Sequence, residues 1–399
     1  MSIDVKRILE SLEPAVREQF EEMVRVRRQL HRHPELGLKE FRTADFVAER
    51  LGELGCEVHR MAGTGVVGLL RGGSPGKTLL LRADIDALPL QETNPADYCS
   101  QVPGVMHACG HDAHTSTALA VAGILSAERG QLHGNVKFMF QPAEEGPGGA
   151  ERMLEEGLLE EPKVDAAFAL HVWNDLPVGT VSVRPGPVMA AADEILITIL
   201  GKGGHGAAPH EAVDPIVVAA HVVTALQTVP SRQVDPIHPV VVSICSVHAG
   251  QAFNIIPPDA ELIGTVRSFD PSIREKLPGL IEKTVQGVTA AFGARYRFHY
   301  RHGYPPTVND PGMADLVRGC ARGAACVQHV VDGEVSMGGE DMAYVLRRVP
   351  GCYFMVGSGN PDRGIDSPHH SPTFDVDEHC MAIGAEVFCR IVRQFLAPG

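Results

Sequence analysis

The sequence predicts an α/β protein of two domains, an α/β/α catalytic domain that carries a smaller inserted α+β domain. Strand and helix patterns alternate through the first ~180 residues, the texture changes near Arg184-Pro185-Gly186-Pro187, and the helix–strand–helix pattern returns after residue 300. A length of 399 residues fits two domains at ~100–200 residues each. We therefore assign residues 1–184 and 301–399 to the larger domain and 185–300 to the insert.

In the larger domain, apolar spacing near 3.6 predicts helices over 12–32 and 40–54, and a third Ala-rich helix begins at His111. Short apolar runs predict the strands 66–70, 77–82, 136–140, 166–172 and 352–357. Helices from Ala150 and from about Asp377 complete this part. In the insert we predict the order strand, helix, strand, strand, helix, with helices from about Asp214 and Pro271.

Composition excludes several classes of protein. The net charge of -14 argues against nucleic acid binding, which needs clustered Lys and Arg. No run of about 18 apolar residues predicts a membrane span, and the first residues lack the pattern of a signal peptide. The nine cysteines are scattered and odd in number, which favours reduced thiols and a cytoplasmic protein.

Two short segments carry side chains of the metal-binding type. MHACGHDAHT (106–115) places Cys109 and His111 two apart in a glycine turn that opens a helix, so that thiolate and imidazole point into one cavity. QPAEEG (141–146) places Glu144 and Glu145 directly after a buried strand. A charged surface turn would also explain this pair; the functional interpretation makes one a metal ligand and the other a general base.

Three further segments are weaker alone. His171 in ALHVWN (169–174) ends an apolar strand, His369 and His370 lie in SPHHSPTFD (367–375), and LRADIDALP (81–89) carries two aspartates after a strand. Active sites of α/β proteins lie beyond the carboxyl ends of the strands. One Cys, three His and one Glu exceed what one tetrahedral ion needs, so two ions that share a bridging ligand are the economical interpretation, and Cys109 suits the bridge.

GTGVVG (63–68) matches the dinucleotide-binding pattern G-x-G-x-x-G. Gly72, Gly73 and Pro75 follow where that fold requires a helix, so we interpret the segment as a hairpin-like turn. No G-x-S-x-G is present, and Cys109 is better explained as a ligand than as a nucleophile.

These motifs resemble the M20 metallopeptidase superfamily in its amidohydrolase branch, which contains hippurate hydrolases, N-acyl-L-amino-acid amidohydrolases and auxin-conjugate hydrolases. The matching segments are LHRHPELGLKE (30–40), LRADIDALPL (81–90), MHACGHDAHT (106–115), FQPAEEG (140–146), GKGGHGAAPH (201–210), NIIPPDAELIGTVRSFD (254–270), GGED (338–341) and HHSPTFD (369–375). They run in order over nearly the whole chain.

The resemblance implies that Cys109 bridges two divalent ions (Zn, Mn, Co or Ni), with His111 and His171 on one and Glu145 and His370 on the other. Glu144 would be the general base, and Asp86 would support the site. Asp84 would occupy the position of a ligating histidine in the peptidase relatives.

For the insert, the resemblance implies a lid and dimerisation domain. His205 would stabilise the oxyanion across a homodimer interface, while Asn254 and Arg267, together with Gly339 of the segment 301–399, would bind the substrate. Arg267 could simply be an exposed arginine on a strand. If it is buried, its guanidinium needs an anionic partner, and the substrate carboxylate would provide one. The expected reaction is hydrolysis of an N-acyl amino acid. A dipeptidase, a biosynthetic deacetylase or a non-catalytic metal- or amino-acid-binding protein are the alternatives.

Overall fold

The computed structural model describes residues 5–333 and 335–398. The chain forms two compact units. Unit 1 comprises 1–188, 308–334 and 344–399, and unit 2 comprises 189–307 and 335–343. These divisions fall four and seven residues after the boundaries that we read from the sequence, and the short segment 335–343 returns to unit 2.

The secondary structure follows the predicted order closely. The helices are α1 Val5–Ser11, α2 Pro14–Arg32, α3 Phe41–Glu53, α4 His111–Ala127, α5 Ala150–Glu155, α6 Pro215–Leu226, α7 Pro271–Ala291, α8 Pro311–Gly323, α9 Met342–Leu346 and α10 His379–Phe395. The strands are β1 Glu57–Met61, β2 Gly65–Arg71, β3 Ser74–Asp84, β4 His133–Gln141, β5 Ala166–Pro177, β6 Thr180–Ser182, β7 Gly186–Met189, β8 Ala191–Leu200, β9 Gly204–His205, β10 Val240–His248, β11 Ile255–Ile256, β12 Asp259–Ser268, β13 Arg295–Tyr304, β14 Thr307–Asn309, β15 His329–Val331 and β16 Gly351–Gly359.

Unit 1 is built on an eight-stranded mixed sheet in the order β1-β2-β4-β3-β5-β16-β6-β15. Its centre, β4-β3-β5-β16, is parallel. The central strands are buried over almost their whole length, as expected of parallel strands with covered faces. Residues of α1 to α4, α8 and α10 share one apolar core with this sheet. The predicted α/β class with an inserted α+β module is confirmed.

Unit 2 contains a four-stranded antiparallel sheet in the order β10-β12-β8-β13, packed against α6 and α7. Along β8 and β12, buried residues that face the core alternate with less buried residues on the opposite face. Both helices begin with an aspartate cap followed by proline, Asp214-Pro215 and Asp270-Pro271. The fourth strand, β13, is absent from the predicted order of the insert. Its exposed arginines and histidines alternate with Tyr and Phe, a period-2 signal that the sequence does contain.

The GTGVVG segment forms the turn of the β1–β2 hairpin, with Met61 opposite Gly65. It leads into a strand and not into a helix, so the interpretation as a turn is confirmed. All nine cysteines are free thiols. Within 5–333 and 335–398, no helix is long and apolar enough to cross a membrane.

Candidate metal centre

The predicted ligands lie where β3, β4 and β5 run side by side. Asp84, the last residue of β3, is opposite Gln141, the last residue of β4. His171 does not end its strand, because β5 continues in parallel pairing with β16 as far as Pro177. It lies opposite Met355 within that pairing. The structure therefore presents His171 from the middle of a strand.

The turn Cys109-Gly110-His111 places its two donors side by side. Gly110 has φ 87°, a left-handed conformation that favours glycine, and α4 begins at the next residue. A Cβ at Gly110 would lie 2.4 Å from Val172 Cγ2. Glycine at this position thus allows both the reversal of the chain and its close approach to β5.

The acidic turn after β4 is also strained. Ala143 has φ 55°, which L-residues other than glycine rarely adopt. Glu144, the next residue, is only 8% exposed. The backbone N–H of Glu145 donates to Asp86 Oδ2 at 3.0 Å, so Asp86 holds this turn beside the Cys109 turn.

The five predicted ligands form one cluster. The donor atoms of Cys109, His111 and Glu145 lie within 4.8 Å of one another. Cys109 Sγ lies 3.5 Å from His171 Nε2, and His370 Nε2 lies 3.0 Å from Glu145 Oε1. His370 is half-exposed, whereas His111 and His171 are buried. The cluster therefore lies at the edge of the buried core and includes an exposed ligand.

Hydrogen bonds fix the orientation of two of these imidazoles. His111 Nδ1 lies 2.9 Å from the carbonyl oxygen of Asp86 and 3.2 Å from its Oδ1. His171 Nδ1 lies 2.6 Å from the carbonyl oxygen of Val172. Because these oxygens only accept, both rings donate from Nδ1 in their neutral form and keep Nε2 for another partner. His111 Nε2 is buried without a hydrogen-bond partner in the described chain.

His114 also lies in the cluster, but both of its ring nitrogens are in use. Its Nδ1 donates to Asp84 Oδ1 at 2.6 Å, and its Nε2 accepts from the N–H of Val172 at 2.9 Å. Asp84 in turn accepts from Arg82 Nη1 at 2.6 Å. His114 is therefore a link from β3 to the residue after His171, a role that the sequence motif did not reveal.

His369 also contacts the backbone of Val172, at its carbonyl oxygen. Its Nε2 lies 3.0 Å from the carbonyl oxygen of Val172, and its ring packs against Trp173 with centroids 4.8 Å apart. Burial lowers the pKa of His369 to about 4, so the ring is neutral near pH 7 and donates from Nε2. The sequence showed His369 beside His370 but gave no reason to separate their roles.

The electrostatics of the cluster favour cations. Burial and then the charges of Glu145 and Glu144 raise the pKa of the Cys109 thiol well above its usual range. Although burial acts to lower it, the carboxylates of Asp84, Asp86 and Glu145 raise the pKa of His111 to about 10. Once a cation displaced the thiol proton, Cys109 would be a thiolate, and with the carboxylates and an imidazole nitrogen that makes no hydrogen bond to the described residues it would form a donor set for divalent ions such as zinc. These residues fit a dinuclear metal site.

The other predicted residues belong to unit 2. His205 is paired with Ile255 in the short β9–β11 sheet, and the N–H of Gly206 donates to the carbonyl oxygen of Asn254 at 2.8 Å. His205 and Asn254 are thus neighbours, and both are exposed.

Arg267 lies on β12 opposite Ala192, on the face away from the apolar core of the unit. It is half-buried, its guanidinium has no ion-pair partner among the described residues, and burial lowers its pKa. Gly339 packs against Ala192, where a Cβ would come within 2.9 Å of the alanine Cβ. Arg267 and Gly339 therefore both lie next to Ala192 of β8.

Comparison with known proteins identifies relatives that match most of this chain. The chain is 41% identical to the thermostable carboxypeptidase 2 of Saccharolobus solfataricus over 393 residues, which cover 97% of this chain and 99% of that protein. It is 45% identical to the N-acyl-L-amino acid amidohydrolase of Geobacillus stearothermophilus over 308 residues, 77% of this chain and 81% of the relative.

A solved structure is similar over nearly the whole length. It is the YXEP protein of Bacillus subtilis, described as a dinuclear metal binding peptidase, with a TM-score of 0.83 and 34% identity over 95% of this chain and 99% of that one. The family model of peptidase family M20/M25/M40 matches residues 80–394. The family predicted from the ordered motifs is thereby confirmed: this chain belongs to peptidase family M20/M25/M40 and is a hydrolase of that family.

Proposed function

We propose that this protein hydrolyses the amide bond of N-acyl amino acids with two divalent cations per chain. The observation that carries the proposal is the acidic turn, in which a buried Glu144 directly precedes Glu145, whose carboxylate belongs to the Cys109 and His111 donor cluster. A protein that only stored a metal, or used it to stabilise its fold, would need the metal ligands but not the additional carboxylate of Glu144. The N-acyl-L-amino acid amidohydrolase among the relatives supports this substrate class.

We assign Cys109 as the bridging ligand, His111 and His171 to one cation, and Glu145 and His370 to the other. The contacts of Cys109 with His171 and of Glu145 with His370 agree with this division. When bound, two such cations polarise a carbonyl oxygen and lower the pKa of a water molecule. Cys, His and Glu ligands suit Zn, Mn, Co or Ni.

Proton transfer is assigned to Glu144. Its carboxylate would accept a proton from the attacking water as the water oxygen bonds to the amide carbon, and would then donate that proton to the leaving nitrogen. The products are a carboxylic acid and an amino acid. Asp86 would orient the site through its contacts with His111 Nδ1 and with the N–H of Glu145.

Substrate binding is assigned to unit 2. Arg267 would pair with the carboxylate of the amino acid in a bidentate geometry, since its own chain supplies no acid partner among the described residues. Asn254 and Gly339 would contact the substrate. His205 would stabilise the oxyanion, a type of interaction that contributes about 3–4 kcal/mol per donor.

The test of the base is Glu144→Gln, with Glu151→Gln on the exposed side of α5 as the matched control. We expect Glu144→Gln to keep about two metal ions per chain and to lose nearly all hydrolysis of N-benzoyl and N-acetyl amino acids. The control should keep both. Normal turnover by Glu144→Gln would show that Glu144 is not the general base. A wild-type protein that binds metals and amino acids without turnover would instead be a binding protein.

A dipeptidase or carboxypeptidase is the second candidate, because one relative is named as a carboxypeptidase. A biosynthetic deacetylase is the third. All three would share the metal site, so the acyl side of the substrate decides between them. Metal-reconstituted protein should be assayed with N-acetyl, N-benzoyl and dipeptide substrates. Higher kcat/KM for the dipeptides would favour the second candidate.

We also propose that the protein is a cytoplasmic homodimer, or a higher homo-oligomer, in which His205 acts across the subunit interface. The free thiols suit a reducing compartment. In unit 2, β10 is an edge strand, and Phe253 and Ile255 are exposed apolar side chains that a second copy would cover. Mixing inactive His205→Ala and Glu144→Gln proteins should restore part of the activity. No recovery after verified subunit exchange would exclude the shared site.

A further inference from the structure

Two sequence segments that have no place in the metal cluster meet beneath the acidic turn. One is the segment 35–40, from PELGLKE, and the other is the hairpin turn of GTGVVG. Glu40 of the first is fully buried, and its Oε2 accepts from the Thr64 hydroxyl at 2.6 Å. Its Oε1 accepts from the backbone N–H of Ala143 at 2.8 Å. The two segments therefore reach the turn that carries Glu144 and Glu145 through one carboxylate.

Ala143 is the strained residue of that turn. Its φ of 55° costs an L-residue free energy of about 1 kcal/mol, which the surrounding structure has to offset. The hydrogen bond from Ala143 to Glu40 lies in a buried environment, where it is electrostatically stronger than the same bond in water. Burial raises the pKa of Glu40, and the hydrogen bonds from Thr64 and Ala143 act against that shift by stabilising the carboxylate.

The packing around Ala143 points to the same constraint. A Cβ at Gly37 would come within 3.0 Å of both Cα and Cβ of Ala143, and a Cβ at Gly65 within 3.0 Å of Pro142 Cδ. Both contacts require glycine in the supporting segments. The N–H of Ala87 also donates to the carbonyl oxygen of Glu35 at 2.8 Å, so the same segment supports the loop of Asp86.

We propose that Glu40, held by Thr64, is a positioning residue that keeps Ala143 in its left-handed conformation and thereby aims Glu144 and Glu145. The direction of two consecutive side chains depends on the dihedral angles just before them. If Ala143 relaxed to a negative φ, both carboxylates would turn away together. This inference rests on the proposed function for the role of Glu144, but its effect on Glu145 is measurable as metal affinity alone.

The experiment measures the Zn²⁺ affinity of folded, metal-free protein by competition with a chelator. Removal of a group that orients a ligand weakens metal binding by about 10–100-fold. We expect Glu40→Ala to lose at least about tenfold in Zn²⁺ affinity and, in active protein, to lower kcat with little change in KM. Glu40→Gln should remain near wild type, because its amide oxygen still accepts from Ala143. Thr64→Val should be intermediate.

Glu156→Ala is a chemically matched control. Glu156 Oε2 accepts at 2.8 Å from the N–H of Ala62, another alanine with positive φ, in the hairpin turn that also carries Thr64. Because Glu156→Ala leaves the hydrogen bonds of Glu40 with Thr64 and Ala143 in place, it should leave Zn²⁺ affinity unchanged. A folded Glu40→Ala protein with wild-type affinity would overturn the inference, as would an equal loss in the control. If Glu40→Ala does not fold, an unchanged affinity in Thr64→Val overturns it.

Different results would refute the proposed function and the positioning role of Glu40. Wild-type protein that shows no amide hydrolysis, but whose Zn²⁺ affinity depends on Glu40, would refute the proposed function and retain the positioning role. Active wild-type protein whose Zn²⁺ affinity is indifferent to Glu40 would refute only the positioning role.

Discussion

At the scale of single residues, His114 shows that the site depends on residues that are not themselves proposed ligands. It donates to Asp84 and accepts from Val172, so one imidazole satisfies a buried carboxylate and a buried peptide N–H. Such groups are costly when they are left without partners in the interior. The contacts that hold His171 in place are therefore also contacts that stabilise the fold.

We expect His114→Leu to destabilise the metal-free protein by about 3 kcal/mol, because it leaves Asp84 Oδ1 and the Val172 N–H unpaired. Urea denaturation followed by circular dichroism measures this. The control is His133→Leu at an exposed position on β4, where we expect a change within about 0.5 kcal/mol. Equal stability of the two variants would mean that water replaces both lost contacts.

The residues that were found from the sequence share one property. Cys109, His111, Glu145, His171 and His370 are unusual residue types for their local context: a glycine turn, an acidic turn after a strand, an apolar strand and a proline-flanked loop. His114 and Glu40 act through partners that are 30 to 103 positions away in the chain, as their bonds to Asp84 and Ala143 show. No local pattern reports such a pairing, so their roles required the structure.

At the scale of elements, the start of α4 depends on one glycine. We expect Gly110→Ala to lower the melting temperature and to weaken metal binding, since a methyl group would be 2.4 Å from Val172 Cγ2 at a φ of 87°. Gly287→Ala within α7 is the opposite case. No atom lies within 4 Å of its Cβ position, and alanine should stabilise the helix by about 0.5–1 kcal/mol. Thermal unfolding of both variants checks the two signs.

The start of α10 makes stability depend on pH. Burial acts to raise the pKa of Asp377, but hydrogen bonds from His379 and Asn360 outweigh it and lower the pKa from 3.8 to about 2. A carboxyl with a lowered pKa stabilises the fold above its unfolded value and loses that contribution as the pH falls through the folded value. We expect Asp377→Asn to be less stable than wild type by about 2 kcal/mol at pH 6.

That difference should shrink as the pH is lowered from 4 towards 2. Denaturant titrations of both proteins at pH 6, 4 and 2.5 measure it. Because Arg363 Nη1 also lies 3.2 Å from Asp377, the series should be run at constant ionic strength. A constant difference over the whole range would show that the charge of Asp377 does not stabilise this helix start.

Most elements could be predicted because their periodicity agrees with their burial. The helices α2 and α3 begin and end within two residues of the expected bounds. The strand β13 was not predicted, because its aromatic residues are interrupted by five arginines and histidines and form no continuous apolar run. His171 was placed at a strand end for a related reason: Asn174 and Asp175, which follow soon after it, hide the continued pairing with β16.

At the scale of the whole molecule, all five proposed metal ligands belong to unit 1, whereas the proposed substrate-binding residues belong to unit 2. Ligand binding stabilises the state that contains its site. We expect added Zn²⁺ to slow hydrogen exchange in β3, β4 and β5 and to leave β8 and β12 nearly unchanged. Mass spectrometry of peptides with and without metal measures this. Equal protection of both sheets would show that metal binding also stabilises unit 2.

The change in texture near residue 184 predicts a domain boundary close to one of the unit divisions, but it does not predict that 335–343 returns to unit 2. That segment is short, and it contains the GGED sequence without a strand or helix of its own before Met342. Its assignment depends on packing against residues such as Ala192, far away along the chain.

The pairing of β5 with β16 also has a consequence for synthesis on the ribosome. Ala167 is opposite Gly351, so this edge of β5 has no neighbour until all of unit 2 has been made. Contacts between such distant residues form slowly, and a strand with one unpaired edge is prone to aggregate, although β3 already pairs with the other edge of β5. A nascent chain that stalls before Gly351 would expose β5 and lack His370. Such truncated products should require chaperones, and metal would not rescue them.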